Sequence, residues 1–273
     1  MKKVLITGNS GYIGSHLSKM LEDSYEVYGL DVKLPQTDRL KNWYNIDVSK
    51  LFGIDQEFDT VVHLAALVNV SESQRQPTNY YNTNLTGTIN AINCIKAHNF
   101  IFASTGAAAE CKSAYAISKR AAEDVVKERA SNYTIFRFYN VIGSSGFATT
   151  NPDGLIYNLL QATKTGKITI FGNDYNTIDG TCVRDYVHVN EICSAIKLAI
   201  EKPANKIECL GHGVGYTVAE IVDVFATVNN VAIKIETAAR RAGDVESSVV
   251  DKVSSYMKST YSLCQLLKIQ ENI

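Results

Sequence analysis

A chain of 273 residues with 45% hydrophobic content can bury a real core and fits one large or two modest domains. Its 27 basic and 28 acidic residues leave a net charge of -1, so no broad positive field points to nucleic acid. No apolar stretch approaches a membrane span, and the short run after Lys2-Lys3 reaches Gly8 too soon for a signal peptide. The six cysteines form no C-x-x-C pair, which gives no metal-ligand spacing and reads as a reduced, cytoplasmic protein without a metal.

Along the chain, strand-like and helix-like segments alternate. Lys3–Thr7 reads as a strand ending at a glycine loop, followed by helical spacing over Tyr12–Leu21. Tyr25–Leu30 is strand-like and closes at Asp31, and a third strand is expected to end at Asp47 and Val48. Asp59–Leu64 is another strand, Tyr80–Ala97 a helix, Phe100–Ala103 a strand, Ala114–Ala130 a helix and Thr134–Phe138 a strand. This alternation implies crossover units, hence an α/β, Rossmann-type doubly wound parallel sheet over residues 1–140. Beyond Asn140, loops are expected at Gly143–Gly146 and Asn151–Gly154. A helix over Leu155–Thr163, a strand over Ile168–Phe171 and helices near Glu191–Ile200, Val218–Val228 and Ser262–Leu267 then read as a smaller mixed α/β domain over 141–273. The segment near 181–201 is expected to return to the first domain. With no repeats, charge runs or low-complexity linker, the two domains should pack together.

The first strand runs into Gly8-Asn9-Ser10-Gly11-Tyr12-Ile13-Gly14, a G-x-x-G-x-x-G between strand and helix. Glycines there permit a tight turn and let backbone N–H groups approach a pyrophosphate at the helix N-terminus. Asp31, at the end of the second strand, can accept hydrogen bonds from an adenosine ribose, and its charge favours NAD over NADP, although Lys33 lies close by. The alternative for Asp31 is a solvated strand-end carboxylate. Asp47 with Val48 could meet the adenine or simply make a turn.

Tyr115 and Lys119 stand four apart at the start of a helix, which puts them on one face. A free phenol titrates near 10 and is a poor base at neutral pH, but a neighbouring ammonium favours the phenolate. Such a tyrosine can exchange a proton with a sugar hydroxyl while a hydride moves to a nicotinamide. Ser104 and Thr105 end the preceding strand at the carboxyl edge of the sheet, where ligands sit, and offer hydroxyls to a reacting oxygen or to a helix cap.

These residues resemble the extended short-chain dehydrogenase/reductases, and among them the UDP-galactose 4-epimerase family. Matching text spans nearly the whole chain: the glycine motif, His63-Leu64-Ala65-Ala66, Glu72-Ser73, Asn84, the Tyr115/Lys119 pair and Arg137-Phe138-Tyr139-Asn140. Most specific are Phe171-Gly172-Asn173-Asp174-Tyr175, Asp179-Gly180-Thr181, Val183 through Val189, and Arg240-Arg241-Ala242-Gly243-Asp244. The resemblance implies Tyr115 as base and acid, Lys119 as its partner and a ribose ligand, and Thr105 as the hydroxyl on the reacting sugar oxygen. It implies NAD held by Gly8, Gly11, Tyr12, Ile13, Gly14, Asp31, Asp47, Val48, Leu64, Ala65, Ala66, Asn84, Ser104, Tyr115, Lys119 and Tyr139. For a UDP-sugar it implies Thr105, Tyr115, Asn140, Asn158, Thr169, Phe171, Arg184, Arg241, Asp244 and Ser248, with the arginines clamping a diphosphate unless they serve as structural ion pairs. A homodimer through the helices at Tyr80–Ala97 and Ala114–Ala130 is likewise implied.

The chain departs from the family text in three places. Only nine residues separate Thr105 from Tyr115, Val68 stands where a lysine near the cofactor phosphates is usual, and the Asp31–Asp47 stretch and the C-terminal end are short. Gly106 and Ala107 replace the acids that the related 4,6-dehydratases use for water elimination. The implied activity is therefore NAD-dependent 4-epimerisation of UDP-glucose and UDP-galactose, extended to N-acetylated sugars if the small Ser248 leaves room. The alternatives are another nucleotide-sugar reaction, such as reduction or decarboxylation, and a non-enzymatic sensor.

Overall fold

The computed structural model describes residues 1–36, 40, 42–143, 154–258 and 261–268. In chain order it begins β1 (Lys3–Thr7), α1 (Tyr12–Leu21), β2 (Glu26–Asp31), β3 (Asn42–Asn45) and β4 (Glu57–His63). Next come α2 (Val70–Arg75), α3 (Pro77–Tyr80), a π-helical turn (Tyr81–Thr86), α4 (Gly87–Cys94), β5 (Lys96–Thr105), a 3-10 turn (Gly106–Ala109), α5 (Ala114–Arg129) and β6 (Tyr133–Phe138). The remainder is β7 (Asn140–Ile142), α6 (Leu155–Thr165), β8 (Lys167–Phe171), β9 (Val183–His188), α7 (Val189–Glu201), β10 (Lys206–Leu210), β11 (Gly215–Thr217), α8 (Val218–Val228), β12 (Lys234–Ala238), β13 (Ser247–Ser248) and α9 (Leu263–Leu267).

Seven strands form one parallel sheet in the order β10-β6-β5-β4-β1-β2-β3. Its strands are near-continuous apolar runs because both faces are covered. Val4 and Ile6 point to α1 and α7, packing with Leu17, Leu21, Ile192 and Ile196, all with no exposed surface. Leu5 alternates to the other face with Val61, Phe102, Ala122 and Val126 under α4 and α5. The sheet is thus the Rossmann-type doubly wound layer, with β1 and β4 adjacent at the point where strand order reverses. A second core, around Leu159, Ile168, Ile170, Ile221, Val222 and Phe225, joins α6 and α8 to the β8/β12 pair. A four-stranded sheet of β7, β9, β11 and β13 is drawn from segments that alternate in sequence with β8 and β12.

Four differences from the sequence expectation have physical reasons. The helix expected over Tyr80–Ala97 starts earlier, as α3, widens into a π turn over Tyr81–Thr86, and ends at Cys94. Ile95 is already extended, because Lys96 and Ala97 pair with Glu57 and Phe58 at the foot of the sheet. The third strand stops at Asn45 rather than at Asp47 and Val48. Asp47 instead turns the chain by accepting the Ser49 N–H at 2.9 Å, while Val48 is buried under α4. Strands β9 and β10 went unread because Arg184, Asp185 and Glu208 interrupt their apolar pattern. Finally, α2 was unread: its cap, Asn69, accepts the Glu72 N–H at 2.8 Å, but its six residues are too few to show a period. Of the loops expected at Gly143–Gly146 and Asn151–Gly154, residues 144–153 lie outside the described residues. Among the described residues no helix is long and apolar enough to cross a membrane.

Candidate active site

The glycine loop joins β1 to α1 at the carboxyl edge of the sheet. Gly8 has φ +74°, and a Cβ there would stand 2.7 Å from the Ala65 nitrogen. A Cβ on Gly14 would stand 2.2 Å from the Gly8 carbonyl oxygen. Only glycine fits these two positions, and the result is a bare backbone concavity at the start of α1. A Cβ on Gly11 would meet only the Gly8 carbonyl, at 3.2 Å. The Asp31 carboxylate accepts the backbone N–H groups of Ser10 (3.0 Å) and Lys33 (2.9 Å), so it is anchored at the loop and half-exposed. Tyr12 hydrogen-bonds the Gly143 carbonyl through its hydroxyl, and Ile13 is half-buried beside it.

Behind the loop runs a chain of buried hydrogen bonds. The Thr88 hydroxyl donates to the Asn84 carbonyl (2.6 Å), so it must accept from His63 Nε2–H (3.1 Å). His63 Nδ1 then accepts from the Thr7 hydroxyl (2.7 Å), whose oxygen accepts the Ala65 N–H (3.3 Å). His63 is fully buried, and burial, together with the Lys119 charge, drives it down to about 3, so it is neutral. Asn84, also fully buried, clamps the Leu67 backbone on both sides (2.8 and 3.0 Å) and donates to Ser118 (3.0 Å). These bonds fix the segment Leu64-Ala65-Ala66-Leu67. Val68, just beyond it, is 52% exposed.

Thr105, Tyr115 and Lys119 sit at the end of β5 and the start of α5. Ser113 caps α5 by accepting the Ala116 N–H (3.1 Å), which starts the helix one residue before Tyr115. Tyr115 and Lys119 share the inward face. Thr105 accepts the Ala107 N–H (3.3 Å) and hydrogen-bonds the Tyr115 phenol. Burial outweighs that bond and pushes the phenol up to about 12. Lys119 is 2% exposed, with Nζ 4.1 Å above the Phe102 ring. Burial brings it down to about 7, with Glu123 opposing. The spacing alone suggests a full ammonium; the structure shows one whose charge is itself weakened by desolvation. Tyr139 covers the 3-10 turn, where a Cβ on Gly106 would stand 2.9 Å from its ring.

Strand β9 and the segments around Phe171 and residues 240–244 bring a different set of groups to the same opening. A Cβ on Gly243 would lie 3.7 Å from the Lys112 carbonyl, so the 240–244 loop closes against the short segment before α5. Arg184, on β9, lies 3.7 Å from Asp244 and donates to the Val183 carbonyl (2.8 Å). Arg241 stacks on Phe171 (3.9 Å), and Arg240 stacks on Tyr175 (4.0 Å) while pairing with Asp174 (2.7 Å). Asp185 is not an arginine partner: buried, it accepts the N–H groups of His212 and Gly213, both at 2.8 Å. Asn140 donates to the Asp185 carbonyl (3.1 Å) and Asn158 to the Gly154 carbonyl (2.9 Å). Thr169 is exposed on β8. Ser248 is half-buried in register with Arg184.

One buried cluster escaped the sequence reading. Glu123 has no exposed surface and is held by Arg137 and Ser104. Its only sequence signal is its place two turns beyond Tyr115 on the same helix face.

A glycine-cradled parallel sheet with a buried Tyr/Lys pair at its carboxyl edge defines a dinucleotide-dependent enzyme class. Residues 4–209 match the NAD dependent epimerase/dehydratase family. The UDP-glucose 4-epimerase of Haemophilus influenzae is 31% identical over 301 aligned positions, covering 91% of this chain and 89% of that protein. Those positions outnumber the 273 residues here, so that relative carries segments this chain lacks. The structure of the UDP-Glc/GlcNAc 4-epimerase from Campylobacter jejuni superposes with a TM-score of 0.77 at 27% identity, over 98% of this chain and 97% of that one. The UDP-glucose 4-epimerase of Brucella ovis in complex with NAD gives 0.84 at 25%, over 98% and 96%. The chain belongs to the NAD dependent epimerase/dehydratase family, among its UDP-glucose 4-epimerases.

Proposed function

We propose that this protein interconverts the C4 epimers of a UDP-hexose by transient oxidation, with NAD as a cofactor that is not consumed. The observation that carries the reading is the Thr105–Tyr115–Lys119 arrangement facing the glycine cradle, with no acid at Gly106 or Ala107 to divert the reaction to elimination. The cradle fits a dinucleotide: Gly8 and Gly14 leave backbone where a Cβ would clash, and Asp31 waits at the ribose end. Gly11, Tyr12, Ile13, the Leu64–Ala66 segment, Ser104 and Tyr139 complete its wall. Asn84 and Asp47 shape that wall through the backbone they hold, and Val48 through its own carbonyl, which accepts from Asn90. NAD held in this cradle would supply a hydride acceptor for oxidation at C4 and a hydride donor for the return.

Tyr115 takes the C4 hydroxyl proton and gives it back. Thr105 holds the reacting oxygen. Lys119 supplies positive charge beside a phenol that burial otherwise keeps protonated. Arg184 and Arg241 grip the diphosphate; Asp244, Phe171, Asn140, Asn158 and Thr169 hold the nucleotide. Ser248 stands at the sugar and leaves space beside C2, which extends the substrate range to N-acetylated hexoses. The Campylobacter jejuni neighbour, described as acting on UDP-Glc and UDP-GlcNAc, fits that range. A lobe of residues 1–140 plus the returning segment near 181–201 would hold NAD, with the remainder of 141–273 holding the UDP-sugar. A cytoplasmic homodimer, paired through the outer faces of α4 and α5, completes the reading; Ile117 on α5 is 42% exposed.

The test incubates purified protein with UDP-galactose and catalytic NAD. UDP-glucose should form with no net NADH. Steady accumulation of NADH, or release of a keto-sugar, would identify a dehydrogenase instead.

A further inference from the structure

In the buried cluster beneath α5, Ser104 lines the cofactor wall, but Glu123 and Arg137 have no role in the scheme above. Ser104 and Arg137 are register neighbours on β5 and β6, and both side chains meet Glu123. Glu123 Oε1 accepts the Ser104 hydroxyl (2.5 Å) and Arg137 Nε–H (2.8 Å), while Oε2 accepts Arg137 Nη2–H (2.6 Å). A carboxylate only accepts, so the Ser104 proton is committed inward, and Ser104 offers nothing but lone pairs to the site. Tyr115, Lys119 and Glu123 fall at i, i+4 and i+8, one stripe down the helix. We propose that Glu123 is a positioning residue for the proton transfer: its charge keeps Lys119 an ammonium, and its grip on Ser104 fixes that hydroxyl as an acceptor at the edge of β5.

The inference rests on Tyr115 being the base. Lys119 has lost its water, and burial disfavours its charge. An anion in direct contact would restore the charge but cancel its field at the phenol. The bidentate Arg137 keeps Glu123 a turn further down, where it supports the ammonium without covering it. Other titratable groups around this face do not replace it. His63 on β4 is neutral, Cys209 on β10 is held as a thiol by burial, and Tyr139 at the end of β6 is held as a phenol. Tyr80 and Glu72 satisfy each other beside Tyr115 (2.9 Å).

The signature is a sign. Without the Glu123 charge, Lys119 releases its proton at lower pH and leaves a neutral amine beside a protonated phenol. That state holds as many protons as the working ammonium–phenolate pair but is inactive. The plateau of kcat therefore falls while its acid limb moves to lower pH. Lys119→Met does the opposite to the limb, because the phenol then titrates without a cation and activity appears only at higher pH.

The experiment records kcat and KM against pH on UDP-galactose for wild type, Glu123→Gln and Glu123→Asp. Alongside it, a UV difference titration of Tyr115 in the NAD-loaded protein uses Tyr115→Phe as the blank. Glu123→Gln should lower the kcat plateau by about tenfold or more, leave KM nearly unchanged, shift the acid limb down on the order of one pH unit and reduce the phenolate signal. Glu123→Asp should restore the limb. A limb and plateau matching wild type, an upward shift, or Asp behaving like Gln would overturn the proposal. If Glu123→Gln does not fold, Glu123→Gln/Arg137→Met, which orphans no charge, is judged by the same criteria. If wild type shows no epimerase activity, the functional reading fails, while the UV titration still decides whether Glu123 controls the Tyr115–Lys119 proton.

Discussion

The two sides of the site are built differently. Around α5, the polar groups of Lys119, Glu123, Ser104, His63 and Asn84 are buried, and hydrogen bonds or a ring contact hold each in one arrangement. Around β9 and the 240–244 loop the charges lie nearer to solvent: Arg184 is 3.7 Å from Asp244, Arg241 lies over Phe171, and Arg240 lies over Tyr175 while pairing with the exposed Asp174 at 2.7 Å. A group that must develop charge in a transition state gains from a fixed, desolvated setting. A group that only grips a nucleotide can reorganise when the ligand arrives, and exposed ion pairs of this kind cost little to break. On the proposed roles, the side that does the chemistry is preorganised and the side that grips the nucleotide is adaptable.

Substitutions on the fixed side should act on kcat and cofactor binding, and those on the adaptable side on substrate choice. Tyr115→Phe keeps the ring but has no proton to exchange, so kcat should fall by about a hundred- to ten-thousand-fold with NAD affinity retained by calorimetry. Turnover within twofold of wild type would remove Tyr115 from the mechanism. Gly14→Ala drives a methyl into the Gly8 carbonyl at the cradle. It should weaken NAD binding by on the order of a hundredfold, given the 1–3 kcal/mol usual for overpacking a tight contact, and unchanged titration would place the dinucleotide elsewhere. Ser248→Tyr fills the space beside Arg184 and should lower kcat/KM for N-acetylated substrates by about tenfold or more relative to the plain hexoses. An unchanged ratio would show that Ser248 is not the gate.

A further effect concerns stability. Lys119 titrates near 7 when folded, well below an ordinary lysine. Between about 7 and about 10.4 the unfolded chain therefore binds more protons than the folded one, and stability rises with pH across that window. Urea midpoints of the NAD-free protein should climb from pH 7 toward about 8, below the range in which the thiols of Cys182, Cys193 and Cys209, pushed up by burial, oppose the trend, and Lys119→Met should flatten the climb. Equal slopes would mean that Lys119 is solvated.

What the sequence made legible follows from range. The glycine loop, the ends of α1 and the Tyr115/Lys119 face are set by residues within a few turns of one another, and spacing alone gives them. The Arg184–Asp244 pair spans sixty residues and the Glu123–Arg137 pair joins a helix to a strand, so neither has a local signature. Strand β9 was hidden for a related reason. Its buried Asp185 looks like a loop residue until the N–H groups of His212 and Gly213, from a distant segment, are seen to satisfy it. The helix that ran too far, past Cys94, erred because sheet pairing at Lys96 overrides local propensity.

The last strand of the large sheet, β10, comes from residues 206–210 and lies against β6, whose partners are residues 134–138. The edge of β6 is therefore bare until about seventy further residues of chain have been made, including all of α6, β9 and α7. During synthesis that edge is an open template for pairing with another chain, and the sheet closes only by a long-range contact of the kind that slows folding. A fragment ending near residue 140 should accordingly form assemblies larger than a dimer, read by light scattering, where the full chain goes no further than the proposed homodimer. A fragment that stays dispersed would show that β6 is protected by something other than β10.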